Sequence, residues 1–94
     1  GGLGMAPGAN IGEDCAIFEA VHGSAPDIAG KNLANPTSVI LAALQMLEYL
    51  EMSDKADKIR KALTDVIASG DRTTRDLGGT HGTTDFTEAL LDRL

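Results

Sequence analysis

The 94-residue sequence has no tryptophan, two phenylalanines and one tyrosine, so Phe18, Phe86 and Tyr49 are its only large aromatic anchors. Thirteen of its apolar residues are alanine, which bury little area each. A chain this short buries about 60–65% of the surface its unfolded form exposes, so one thin core in one small domain is the most it can build. A single cysteine, Cys15, excludes an internal disulfide and fits a reducing compartment. Basic residues are scarce, 8 against 14 acidic for a net charge of −6. That balance argues against nucleic-acid or anionic-membrane partners, which need a cationic face. The longest unbroken apolar run, Val39 to Leu44, falls far short of the roughly 20 residues of a membrane span. Neither an initiator methionine nor a signal or transit peptide opens the chain, and the start Gly1-Gly2-Leu3-Gly4 reads as part of something longer.

Glycine and proline are concentrated in residues 1–30 and 70–82. Residues 1–14, GGLGMAPGANIGED, carry five glycines and read as a loop. The apolar run Cys15-Ala16-Ile17-Phe18 is too short for a helix and reads as a buried strand, with Cys15 a small core residue. A second loop runs from Glu19 to Lys31. Asn35 can cap a helix that Pro36 begins and VILAALQMLEYL continues to Leu50; apolar on every side, it is expected to be buried all round. A second helix is expected over 53–69 before Gly70, with Ala56, Ile59, Leu63, Val66 and Ile67 as its apolar stripe and Asp54 and Asp57 near its positive end. Turns fill DRTTRDLGGTHGT. Thr84 or Asp85 then caps a last helix with Phe86, Ala89, Leu90 and Leu94 facing the core, and Asp85 with Glu88 has capping-box spacing. One strand makes no sheet, so its partners are expected elsewhere.

No complete catalytic set is visible. His22 and His81 lie far apart in sequence, Cys15 has no second thiol, and no zinc spacing occurs. GGLGMAPG has neither the G-x-G-x-x-G spacing of a Rossmann turn nor a P-loop lysine. The stronger signal is the 19–31 loop taken with Asn35. Gly23, Ser24, Ala25, Ala29 and Gly30 leave backbone amides open to a ligand, and Pro26 stiffens the middle. Asp27 can accept hydrogen bonds from two ribose hydroxyls and would repel a 2′-phosphate. Two unit charges about 4 Å apart at an effective dielectric near 20 repel by about 4 kcal/mol, about a thousandfold preference for NAD over NADP. His22 offers a flat ring and a ring nitrogen to adenine or a diphosphate, and Asn35 an amide to an adenine edge. The same residues have a plainer reading: a solvated loop, a helix cap and a surface carboxylate.

The joined string VHGSAPDIAGKNLANPTSVILAALQML resembles the signature of the isocitrate and isopropylmalate dehydrogenases, the β-decarboxylating hydroxyacid dehydrogenases. GGLGMAPGANIG upstream, and Arg75-Asp76-Leu77-Gly78-Gly79 with Asp85-Phe86-Thr87-Glu88-Ala89 downstream, extend the resemblance over essentially all of the chain. It implies an α/β fold that is not a conventional Rossmann fold. Residues 1–94 would be the C-terminal part of its large domain, mostly helical with a short strand when taken alone. The full-length protein would be a homodimer or higher oligomer, cytoplasmic, or in the mitochondrial matrix if eukaryotic.

The resemblance further implies that His22, Gly23, Ser24, Ala25, Pro26, Asp27, Ile28 and Asn35 bind the adenosine half of the dinucleotide, that Glu19 lies towards its nicotinamide side, and that Asp76 also binds the cofactor. Relatives that use NADP typically carry Lys and Tyr where this chain has Asp27 and Ile28, and often Tyr where it has Arg75. Asp-Ile therefore points to NAD, while Arg75 either pairs with Asp27 or reaches towards a 2′-phosphate. The implied reaction is oxidation of a small hydroxy acid with loss of carbon dioxide, assisted by magnesium or manganese. Catalytic and metal residues are expected upstream of Gly1, so the chain by itself is expected to be inactive. Isocitrate is the first expectation for substrate, then homoisocitrate, 3-isopropylmalate or tartrate. The alternative from another class is a non-catalytic regulatory fragment.

Overall fold

A computed structural model describes residues 5–94; Gly1 to Gly4, which open the expected N-terminal loop, lie outside the described residues. The elements in chain order are β1 (Pro7–Ile11), β2 (Ala16–Ala20), α1 (Thr37–Tyr49), α2 (Ser53–Ser69), a 3-10 turn (Arg75–Leu77) and α3 (Thr83–Asp92). The fold is α/β: an antiparallel hairpin and three helices.

The hairpin corrects the reading of residues 1–14 as loop and of a lone strand. PGANI pairs with AIFEA, Pro7 opposite Ala20 and Ile11 opposite Ala16. Pro7 stands at the first position of its strand, where a missing N–H costs the ladder least. The four-residue connection closes with the Gly12 N–H donating to the Cys15 carbonyl at 2.8 Å. Cys15 is exposed and lies in this connection, so it is not a core residue. Strand β2 is not buried either: Ala16, Phe18 and Ala20 are half-buried while Ile17 and Glu19 are exposed, a period-two alternation that a run of four apolar letters concealed. Its inner face meets α1, where the Phe18 and Tyr49 rings stand 5.7 Å apart at an interplanar angle of 57°. That tilted geometry suits the aromatic quadrupole.

α1 lies between the hairpin and α2, and α2 packs on α3. The core sits between the last two helices: Ala62, Leu63 and Val66 of α2 against Phe86, Ala89 and Leu90 of α3, with Ile40, Leu41, Ile67 and Leu77 packed around them. α2 runs over the expected residues and ends at Gly70, whose φ of 71° places its N–H on the Val66 and Ile67 carbonyls. Its buried side includes Ala62, which the expected stripe omitted, while Ile59 is only half-buried. α1 is not buried all round: Val39 is 56% exposed and Leu50 55%, with Met46 and Tyr49 also open. Leu94, expected in the core, is likewise exposed.

The start of α3 differs from expectation for a reason that lies elsewhere in the chain. Neither Thr84 nor Asp85 caps it, and Gly82 at its N-cap has no side chain to do so. Asn32 supplies the cap instead: its Oδ1 accepts the Thr84 N–H at 3.0 Å and its carbonyl the Thr83 N–H at 2.9 Å. A capping box reads only neighbours in sequence, whereas this acceptor arrives from 52 residues away.

Candidate cofactor-binding site

The residues after β2 form two tight turns. Pro26 and Asp27 are the central residues of the first, closed by the Ile28 N–H on the Ala25 carbonyl at 3.1 Å. Proline presets φ for that position. The second turn is closed by the Lys31 N–H on the Ile28 carbonyl at 3.1 Å and needs φ of 76° at Gly30, which glycine adopts at no steric cost. His22 donates to the neighbouring Gly23 carbonyl through Nδ1 at 2.8 Å. A carbonyl only accepts, so in the neutral ring Nδ1 carries the proton and Nε2 keeps its lone pair.

Asn35 joins this loop to α1 and to the 3-10 turn. Its Oδ1 accepts the Thr37 N–H at 2.9 Å and the Thr37 hydroxyl, so it meets the first residue of α1 from one position further back than expected: Pro36, not Asn35, is at the N-cap and the helix begins at Thr37. Its Nδ2 donates to Asp76 Oδ2 at 2.9 Å and faces Met5 Sδ at 3.2 Å. Thr74, fully buried, donates its hydroxyl to the other Asp76 oxygen. A continuous polar chain thus runs from Thr74 through Asp76 and Asn35 to the head of α1. The backbone that carries Thr74 is tightly folded: a Cβ at Gly79 would stand 2.0 Å from the Thr73 carbonyl oxygen, so only glycine fits there.

Between these walls opens a cleft of about 1190 Å³. Of the residues expected at a cofactor, His22, Gly23, Ser24, Ala25, Ile28, Asn35 and Asp76 line it. Glu19, Pro26 and Asp27 do not line it: Glu19 is on β2, and Pro26 and Asp27 lie on the exposed crest of the first turn. Arg75 faces the cleft, and among the described residues it forms no ion pair, with Asp27 or with any other carboxylate. Asn32, Ser38, Val39 and Thr83 also line it and were not singled out in the sequence. Thr83 and Arg75 reach it only by folding back of α3 and the 3-10 turn, which no local signal announces. A magnesium or manganese ion finds no fit among the described residues, where no group of three or more His, Cys, Asp or Glu stands together. No helix among them is long and apolar enough to cross a membrane.

An α/β segment in which a loop of small residues faces the Asn35–Asp76 wall across one cleft is the class that fold and cleft define. The family model described as isocitrate/isopropylmalate dehydrogenase matches residues 1–90, and the chain belongs to that family. It is 55% identical to the mitochondrial NAD isocitrate dehydrogenase catalytic subunit 5 of Arabidopsis thaliana, over all of this chain and 25% of that protein. It is also 55% identical to the 3-isopropylmalate/3-methylmalate dehydrogenase of Methanocaldococcus jannaschii, over all of this chain and 28% of that one. Among solved structures, isocitrate dehydrogenase from Methylococcus capsulatus superposes with a TM-score of 0.93 at 50% identity, covering 99% of this chain and 28% of the other. The chain spans about a quarter of the length of the curated relatives it matches.

Proposed function

We propose that this chain supplies the adenosine-binding part of an NAD-dependent β-decarboxylating dehydrogenase acting on isocitrate. The observation that carries the reading is the cleft itself, where His22, Ser24 and Ile28 on the loop face Asn35 and Asp76 across one opening. The two walls offer what an adenosine needs. Ile28 and Val39 are apolar surfaces for the flat base, the Asn35–Asp76 pair meets polar edges, and His22 Nε2 accepts a hydrogen bond. NAD, when bound, takes a hydride from the substrate; the residues of this chain bind and orient it. Asp27 lies on the crest of the first turn, outside the cleft lining; in this reading its charge acts from the rim against a 2′-phosphate and so favours NAD. A loop of that shape clamps the ribose side of a dinucleotide as readily as it would a mononucleotide, and the family membership selects the dinucleotide.

NAD isocitrate dehydrogenases stand beside an isopropylmalate enzyme among the relatives at equal identity, so homoisocitrate and 3-isopropylmalate are the competing substrates. The hydroxy acid, the divalent metal and the assembly into a homodimer or larger oligomer belong to the whole protein in this reading. Location in the mitochondrial matrix follows if the source is eukaryotic, and in the cytoplasm otherwise. A non-catalytic regulatory piece is the second reading, and the polar chain through Asn35 and Asp76 favours the first. Titration of NAD into the full-length protein separates the two, since a regulatory relic leaves signals at His22 and Asp76 unmoved. The cofactor choice has its own test. Asp27→Lys together with Ile28→Tyr in the full-length enzyme is expected to lower kcat/KM for NAD relative to NADP by at least about tenfold, a fraction of the full charge effect because the turn is solvent-exposed. An unchanged ratio removes Asp27 from the ribose.

A further inference from the structure

Every residue from Val21 to Asn32 is exposed, so packing does not hold the loop in place. Its two turns are internal. The bond from the Val21 N–H to the Ala6 carbonyl only extends the hairpin at the loop's root. Beyond that root, the hydrogen bonds that residues 22–33 make to the rest of the chain, among the described residues, run through Asn32, and just after them the Ala34 carbonyl accepts from the Thr83 hydroxyl. The Asn32 carbonyl accepts from Thr83 N–H at 2.9 Å, and its Oδ1 accepts from the Thr84 N–H at 3.0 Å and from the Thr84 hydroxyl at 2.9 Å. These are first-turn amides of α3, donors that no intrahelical carbonyl can satisfy. Asn32 reaches them with φ at 58°, a left-handed conformation that asparagine tolerates. A second feature is built to the same contact: a Cβ on Gly82 would lie 2.3 Å from the Asn32 carbonyl oxygen, so the bare backbone of Gly82 is what admits the loop.

We propose that Asn32 is a positioning residue for dinucleotide binding: it latches the 21–33 loop to the head of α3, so that His22, Ser24 and Ile28 stand on their wall of the cleft before the ligand arrives. The proposal rests on the reading of the cleft as a dinucleotide site. An untied loop would have to be ordered on binding, and the fraction of molecules ready to bind would fall in proportion. The opposite wall, Asn35 with Asp76, is held by Thr74 and Thr37 and does not depend on the latch.

Two substitutions in the full-length enzyme isolate the side chain. Asn32→Gly keeps the left-handed backbone and the Thr83 bond while deleting the cap; Asn32→Asp restores an acceptor for Thr84. Asn32→Gly is expected to raise both KM and Kd for NAD about twofold, the ratio that glycine in place of a capping asparagine represents. kcat and the KM for the hydroxy acid stay unchanged, and Asn32→Asp returns the NAD constants to near the wild-type values. A readout independent of catalysis is tryptic cleavage after Lys31, the only Lys or Arg among the first fifty residues, followed by mass spectrometry. Asn32→Gly is expected to cleave there about twice as fast as the wild type.

Wild-type NAD constants in Asn32→Gly overturn the proposal, as does a parallel loss in kcat and in the affinity for the hydroxy acid, which marks general unfolding. A wild-type enzyme that binds no NAD overturns the dinucleotide reading and the positioning role with it. The Lys31 cleavage rates distinguish that result from failure of the latch, because they need no dinucleotide.

Discussion

Asn35 serves the fold and the cleft with one amide. Its oxygen is committed to the head of α1 and its nitrogen to Asp76, so its orientation is set by two partners of opposite character. Asn35→Asp keeps the acceptor for Thr37 but sets a second carboxylate where Nδ2 now donates to Asp76 at 2.9 Å. Two like charges there raise the folded-state pKa of the pair above the unfolded value of about 4. The penalty is therefore present at neutral pH and is relieved as the pH falls through that raised value. Asn35→Asp is expected to be about 1 kcal/mol less stable than wild type at pH 7, discounted for the exposure of the pair, with most of the gap closed near pH 4. Urea titrations of both proteins at the two pH values measure it. An equal gap at both would mean that Asp76 does not face the substituted carboxylate.

At the scale of elements, the α2–α3 pair concentrates the apolar burial of the chain, and Phe86 is its largest fully buried side chain. Phe86→Ala is expected to cost about 3–5 kcal/mol, close to the whole stability of a small domain. Thermal unfolding followed by circular dichroism should then lose its cooperative transition; a sharp melt within a few degrees of wild type would place the core elsewhere. Polar contacts tie the far ends of the same helices. Arg72 meets Asp92 at 2.8 Å and Asp71 at 3.5 Å, and Arg93 meets Asp71 at 3.3 Å. The hydrogen bond to Asp92 pushes the Arg72 guanidinium above its ordinary pKa, with Asp71 adding to it, so Arg72 keeps its charge throughout the range in which the protein folds. These ion pairs are open to solvent and screened by salt, and they align α2 with α3 rather than holding them together.

The molecule as a whole is wide for its length. Its radius of gyration is 13.8 Å, against about 12 Å for a compact domain of this size. The excess comes from the hairpin and α1 spreading to one side of the α2–α3 core. There Ile11 and Ile17 are 66% and 63% exposed, and Val39 and Leu50 are open as well. These side chains leave apolar surface open to solvent. The 94-residue chain expressed alone is expected to bind an apolar dye such as ANS and to produce no NADH from isocitrate, NAD and magnesium, since no metal ligand set stands among its described residues. Absorbance at 340 nm provides the check, and isocitrate-dependent NADH from the isolated chain would overturn the proposed division of the site.

Much of this was legible in the sequence because it is local. α2 follows from its apolar stripe and Gly70, the start of α1 to within one residue from Asn35-Pro36, and the family from the string between Val21 and Leu47. Local patterns also misled where two meanings share one pattern. Residues 7–11 look like loop because glycine and proline dominate them, and they became a strand because Ala16–Ala20 offers a ladder on which to pair. The all-apolar face of α1 predicts burial, and among the described residues Val39 and Leu50 stand exposed. By itself, then, the sequence determined which segments are helical and where the turn-rich loop of small residues lies, since propensity and turn chemistry act over a few residues. Only the tertiary structure decided that Asn32 caps α3 and that Asp76 meets Asn35. Those contacts join residues 41 to 52 positions apart, and their geometry exists only once the helices have packed.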